Sequence, residues 1–79
     1  MAADVFYRVD THGHGVFKKD YSGGYPEYLM FNVPNDRWEP SVFAIDAFYE
    51  GDDTFPATEE EALHEIEAEK ARYASRKDA

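Results

Sequence analysis

The sequence contains no cysteine, which removes disulfides and leaves its three histidines without the thiolate partners of a structural zinc site. Positive charge is scarce as well: eight Lys and Arg stand against seventeen Asp and Glu, a formal charge of −9. Phosphate contacts depend on clustered Lys and Arg, so direct binding to DNA, RNA or an anionic membrane is disfavoured, and a cationic partner fits better. No apolar stretch approaches the roughly 20 residues that span a bilayer. Met1-Ala2-Ala3-Asp4 has neither the basic nor the apolar region of a signal peptide. The compartment expected from these absences is the cytoplasm.

Aromatics are plentiful: six Phe, six Tyr and Trp38 make up 16% of 79 residues. Each can bury about 150–250 Å², and they fall in alternating runs, which points to one folded domain over residues 1–79. A core this small rarely supplies more than about 3–5 kcal/mol, so either a monomer helped by its partner or a homodimer is expected.

Val5, Tyr7 and Val9 alternate with Phe6 and Arg8, the pattern of a half-buried strand. Thr11-His12-Gly13-His14-Gly15 reads as a hairpin turn into a second strand from Val16 that ends near Asp20. Tyr21 to Pro26 is a loop carrying Tyr21 and Tyr25, and Tyr28 to Val33 is a third strand with Leu29, Phe31 and Val33 on its apolar face. Asn35-Asp36-Arg37-Trp38 has turn chemistry. Val42 to Tyr49 fits both a two-residue period and a helical stripe, and its β-branched and aromatic content favours a fourth strand.

After the acidic loop Glu50-Gly51-Asp52-Asp53-Thr54, Thr58 and Glu61 form a capping box that starts a helix. Ala62, Leu63, Ile66, Tyr73 and Ala74 make its apolar stripe, with acids in the first half and bases in the second, the order that the helix dipole favours. The order β-β-β-β-α predicts an α+β domain: an antiparallel sheet with the C-terminal helix on one face, the other face open or paired with a second copy.

Asp10, His12 and His14, at alternate positions, are the one cluster resembling a metal site, but a glycine-rich turn supplies too few fixed ligands, and a plain polar turn is the better reading. No metal or cofactor is expected. Ser22, Ser41 and Ser75 lie in no nucleophile elbow, and Gly23-Gly24 lacks the lysine and further glycines of a phosphate cradle. His64, on the outer side of an acidic helix, reads as solvated. These absences point away from an enzyme.

What remains is a row of carboxylates, Glu50, Asp52, Asp53, Glu59, Glu60 and Glu61, together with Tyr21 and Tyr25, a residue type suited to interfaces. Such a surface suits a basic protein groove built for nucleic acid. A self-associating adaptor is the alternative.

Through Glu50-Gly51-Asp52-Asp53, Thr58-Glu59-Glu60-Glu61 and the aromatic-rich strands, the chain resembles small phage-encoded anti-CRISPR proteins, particularly inhibitors of type I systems. That resemblance implies binding to a Cascade-type, crRNA-guided surveillance complex and obstruction of its basic DNA channel, inside the host cell.

Overall fold

The computed structural model describes residues 4–13, 15–51 and 53–77, so His14 and Asp52 lie outside the described residues. Five strands, β1 (Val5–Asp10), β2 (Val16–Asp20), β3 (Glu27–Asn32), β4 (Arg37–Pro40) and β5 (Thr54–Ala57), join two helices, α1 (Val42–Tyr49) and α2 (Glu59–Lys77). They form one antiparallel sheet in the order β4-β3-β2-β1-β5. The first four strands are a meander; the chain then crosses the sheet as α1 and adds β5 beside β1 at the opposite edge. The α+β class and the C-terminal helix agree with the reading of the sequence.

The register explains how two helices can share so small a sheet. Val9 faces Val16, Tyr7 faces Lys18 and Phe31 faces Trp38 across the ladders, so these residues line one side of the sheet. Helix α2 covers that side: Ala62 and Ile66 are buried with Val9 and Val16, and Tyr7, Phe31, Trp38 and Ala57 pack around them. On the other side Phe17 is buried with Ala44 and Ala47 of α1, flanked by Tyr28, Met30 and Phe48. Of the stripe expected on α2, Ala62 and Ile66 are inside, whereas Leu63 and Ala74 are exposed. The buried face of α2 is therefore narrower than its sequence suggests.

Val42 to Tyr49 is a helix, which corrects the fourth strand expected there. Ser41 caps it, with extended backbone and a hydroxyl that accepts the Phe43 amide at 3.1 Å. Gly51, at φ +71, ends it, its amide returning to the Asp46 carbonyl. Ala44 and Ala47 are three apart and almost wholly buried, so the helix backbone lies close on Phe17. The β preference of Val, Phe and Ile is a weak bias of up to about 1 kcal/mol across the scale, and caps plus packing outweigh it. The other face of the sheet is consequently not open, as expected, but half covered by α1, which lies over β2 and β3.

Two strands were not expected. β4 occupies the stretch read as a turn with a trailing aromatic, and β5 sits between the acidic loop and the capping box. β5 contains Pro56, which cannot donate to a ladder and is tolerated on an edge strand. The capping box itself is formed as expected: the Glu61 carboxylate accepts the Thr58 amide at 2.8 Å, and the Thr58 hydroxyl accepts the Glu61 amide at 3.1 Å.

Candidate functional site

Ion pairs decide which of the many carboxylates still carry an uncompensated charge. Among the described residues they run from Lys70 to Asp36 (2.7 Å) and Glu67, Arg37 to Glu39 (2.8 Å), Arg72 to Glu65 (2.9 Å) and His12 to Asp10 (3.8 Å). All lie around the β1–β2 and β3–β4 turns and along α2 from Glu65 onward. Arg72 also donates to the Gly13 carbonyl at 3.3 Å and so ties α2 to the β1–β2 turn. Three other cations, Arg8, Lys18 and Lys19, are occupied differently. Lys18 lies 4.5 Å from the Trp38 ring centroid, and the Arg8 guanidinium donates to the Thr54 hydroxyl (2.8 Å) and carbonyl (3.0 Å).

Lys19 is held among three tyrosines, its ammonium 5.0, 5.4 and 5.9 Å from the rings of Tyr21, Tyr28 and Tyr49. Tyr28 donates to the Tyr49 hydroxyl at 3.3 Å, so β2, β3, the following loop and the end of α1 meet around one cation. Hydrogen bonding to Tyr21 is the main reason that the ammonium holds its proton above the usual lysine range.

The acids left without an ion pair among the described residues include Glu50, Asp53, Glu59 and Glu60, four of the positions singled out from sequence. All four are exposed. The structure does not gather them in one patch but sets them at the two ends of β5. Glu50 and Asp53 precede the strand, Asp53 in the left-handed region at φ +62 with its carbonyl accepting from Thr11. Glu59 and Glu60 follow it in the first turn of α2. Six residue steps from Asp53 to Glu59, at about 3.3 Å each where extended, set the two ends up to about 20 Å apart. Glu61 belongs to the same turn but spends its carboxylate on the cap. Asp52 is outside the described residues.

The two tyrosines part company. Tyr21 stacks edge-on against Phe6 at 6.3 Å and borders a groove that also contains Glu59. Tyr25 extends from the β2–β3 loop and is 82% exposed. Burial first, then the carboxylates of Glu59 and Asp20, raise the Tyr7 phenol above its usual range.

No family model, curated protein or solved structure matches this chain. The site must therefore be judged on its own chemistry. Among the described residues no three His, Asp or Glu side chains converge so as to hold a metal ion. Among the described residues no helix is long and apolar enough to cross a membrane.

Reasoning from sequence missed the outer face of α1. Val42 (68%), Phe43 (65%) and Tyr49 (74%) are exposed, with Ile45 beside them, on a helix in which Asp46 is the one charged residue. A helix apolar all round ordinarily belongs inside a protein or under a partner. The signal was present in the sequence as an apolar run that was read as a fourth strand, which does not set these side chains on one outer helix face. Glu69 was missed too. It sits half-buried in a cleft of about 770 Å³ bounded by α2, the β1–β2 turn, the β3–β4 hairpin and the start of α1, and its carboxyl is pushed up to about 7 by burial, then by Glu65.

Proposed function

We propose that this protein is a non-enzymatic binding protein that occupies a basic, nucleic-acid-binding surface on another protein. One observation carries the reading: among the described residues the ion pairs lie elsewhere, while Glu50 and Asp53 at one end of β5 and Glu59 and Glu60 at the other are exposed and have no ion-pair partner. Exposed carboxylates set apart at the two ends of the strand can stand in for phosphates on a surface built of Lys and Arg. The exposed aromatic residues of α1 and the β1–β5 side supply contact area that phosphates lack. The resemblance to type I anti-CRISPR proteins makes a Cascade-type surveillance complex the first partner of this class to test.

The test is a pull-down from a bacterial host lysate with two baits, the protein and a variant carrying Glu50→Lys, Asp53→Lys, Glu59→Lys and Glu60→Lys. The partner should be captured by the first bait alone and released by duplex DNA or by raising the salt, because exposed charge pairs are screened within about 8–10 Å at such ionic strengths. Equal capture by both baits would refute the reading.

Self-association is the second reading, favoured by the exposed apolar face of α1. It would bring two chains of charge −9 together. Sedimentation at high protein concentration separates the two: a monomer leaves the α1 face to a different partner.

A further inference from the structure

Helix α1 has little of its own to keep it helical. Six of its eight residues, Val42, Phe43, Ile45, Asp46, Phe48 and Tyr49, belong to the poorer helix formers, and a helix that persists alone takes about 12–15 residues. Its first turn holds no acid and its last turn no base, and Glu50 stands at its C-terminal cap, so the helix dipole is opposed rather than complemented. Packing adds little. The two buried residues are alanines, one methyl group each, while Val42, Phe43 and Tyr49 are exposed.

What holds α1 to the sheet is concentrated at its ends. At the start the Ser41 hydroxyl accepts the Phe43 amide, and the Ser41 amide donates to the Tyr28 carbonyl at 3.2 Å. At the end Tyr28 donates to the Tyr49 hydroxyl at 3.3 Å, the Lys19 ammonium lies 5.4 and 5.9 Å from these two rings, and the Thr54 hydroxyl donates to the Ala47 carbonyl at 3.4 Å. Helix α2 has the opposite character: 19 residues, a formed capping box and acids in its first turn. The strands beneath α1 do not need it for their hydrogen bonds, since β2 is paired on both sides, with β1 and with β3.

We propose that α1 is a detachable cover, which leaves the sheet while the five strands and α2 stay folded. Such local opening depends on the few contacts of the opened segment and not on the stability of the whole molecule. Opening takes α1 off Phe17 and Met30, which face each other across β2 and β3, and off Tyr28. Phe6 stands on the same side of the sheet, opposite Lys19, and is already 47% exposed, so the uncovered residues extend an apolar strip from β1 to β3. The property belongs to the free chain and holds whatever its partner.

The test is amide hydrogen exchange of the unmodified chain, followed by NMR with and without low urea. The Ala47 and Phe48 amides, in the second half of α1, should exchange at least tenfold faster than those of β2 after correction for intrinsic rates, and low urea should accelerate β2 alone. Two substitutions at exposed positions move α1 in opposite directions. Tyr49→Phe removes the hydroxyl tie and should speed α1 exchange at least threefold; Val42→Glu supplies a first-turn acid and a better helix former, and should slow it by a similar factor. Because the chain has no cysteine, Ala44→Cys and Val16→Cys each place a single thiol in one of the two cores. A bulky maleimide should label Ala44→Cys at least tenfold faster, which separates departure of the helix from fraying in place. Equal exchange with equal urea dependence in α1 and β2, α1 rates that neither substitution moves, or equal labelling of the two thiols would each overturn the proposal, because the molecule then opens only as a whole.

Discussion

Replacing Glu69 by Gln should stabilise the protein above neutral pH and remove most of the pH dependence of its stability between about 5 and 7. Glu69 lies on the side of α2 that meets the β1–β2 turn, with Glu65 and Arg72 near it on its own helix and Asp10 facing it from β1. Burial and then the Glu65 carboxylate raise its pKa from 4.5 to about 7, Arg72 opposes the rise, and Asp10 adds to it. A folded-state value above the unfolded one means that the folded chain keeps a proton that the unfolded chain releases. The resulting stability is fully present below about 4.5 and is lost as pH rises through about 7. At about 1.36 kcal/mol per pH unit, a rise from 4.5 to about 7 sets a ceiling of about 3.4 kcal/mol. Solvent screening at a half-buried position brings this down to about 1–2 kcal/mol. Gln keeps the shape and cannot ionise. Urea denaturation at pH 5, 6, 7 and 8 should show the wild type losing about 1–2 kcal/mol across the series while Glu69→Gln stays nearly level. In a domain this size the difference at pH 8 amounts to a thermal midpoint gain of about 4–16 °C. Parallel curves for the two proteins would show that Glu69 ionises freely in the fold. Both should still weaken in stronger acid. The pKa values of Glu39, bonded to Arg37 and Asn32, and Asp20, bonded to Ser22, are lowered; the stability they give is present above the ordinary carboxylate range and lost as pH falls through the lowered values.

Two further substitutions test the elements that position the site. Thr58→Ala removes the hydroxyl that accepts the Glu61 amide and should cost about 1 kcal/mol, read by thermal melting, with the first turn of α2 fraying in amide exchange. Ala47→Leu places three extra carbons between α1 and Phe17 and should cost about 1–3 kcal/mol, whereas Asp46→Leu on the exposed side should be near neutral by the same denaturant titration.

Which parts of the fold were legible in the sequence follows from how local their causes are. The alternation of Val5, Tyr7 and Val9 and the Thr58–Glu61 capping box are complete within four or five residues, and both are found as expected. Helix α1 carried its own boundary marks, Ser41 before it and Gly51 after it. These were outweighed by the β-forming content of Val42, Phe43 and Ile45, although the spacing of Ala44 and Ala47 is what a helix needs to lie flat on a sheet. β4 and β5 are four residues each, too short for a two-residue period to stand out, and they exist because β3 and β1 offer them an edge. The site divides in the same way. The acidity from Glu50 to Glu61 is plain in the sequence. Which acids keep their charge depends on pairings such as Lys70 with Asp36 and on the contact of Arg72 with Gly13, 59 residues away, and no local pattern holds that information.

The thin core and the unspent charge have one physical consequence. The buried hydrophobic residues among those described are Val9, Val16, Phe17, Ala44, Ala47, Ala62 and Ile66; three of the seven are alanines, and the sheet must cover itself on two faces with them. Large apolar side chains that would thicken the core in another protein of this size, Phe6, Phe43 and Tyr49 among them, point outward instead. Glu59 and Glu60, in the first turn of α2, have no cation paired to them among the described residues. A basic partner, as proposed above, would cover the aromatic surface and neutralise the acids at either end of β5 at once. Binding is then linked to folding: a partner present at a hundred times its dissociation constant adds about 2.7 kcal/mol, comparable with what a core this small supplies by itself. On this account the exposed aromatics and the uncompensated acids are two halves of one binding surface.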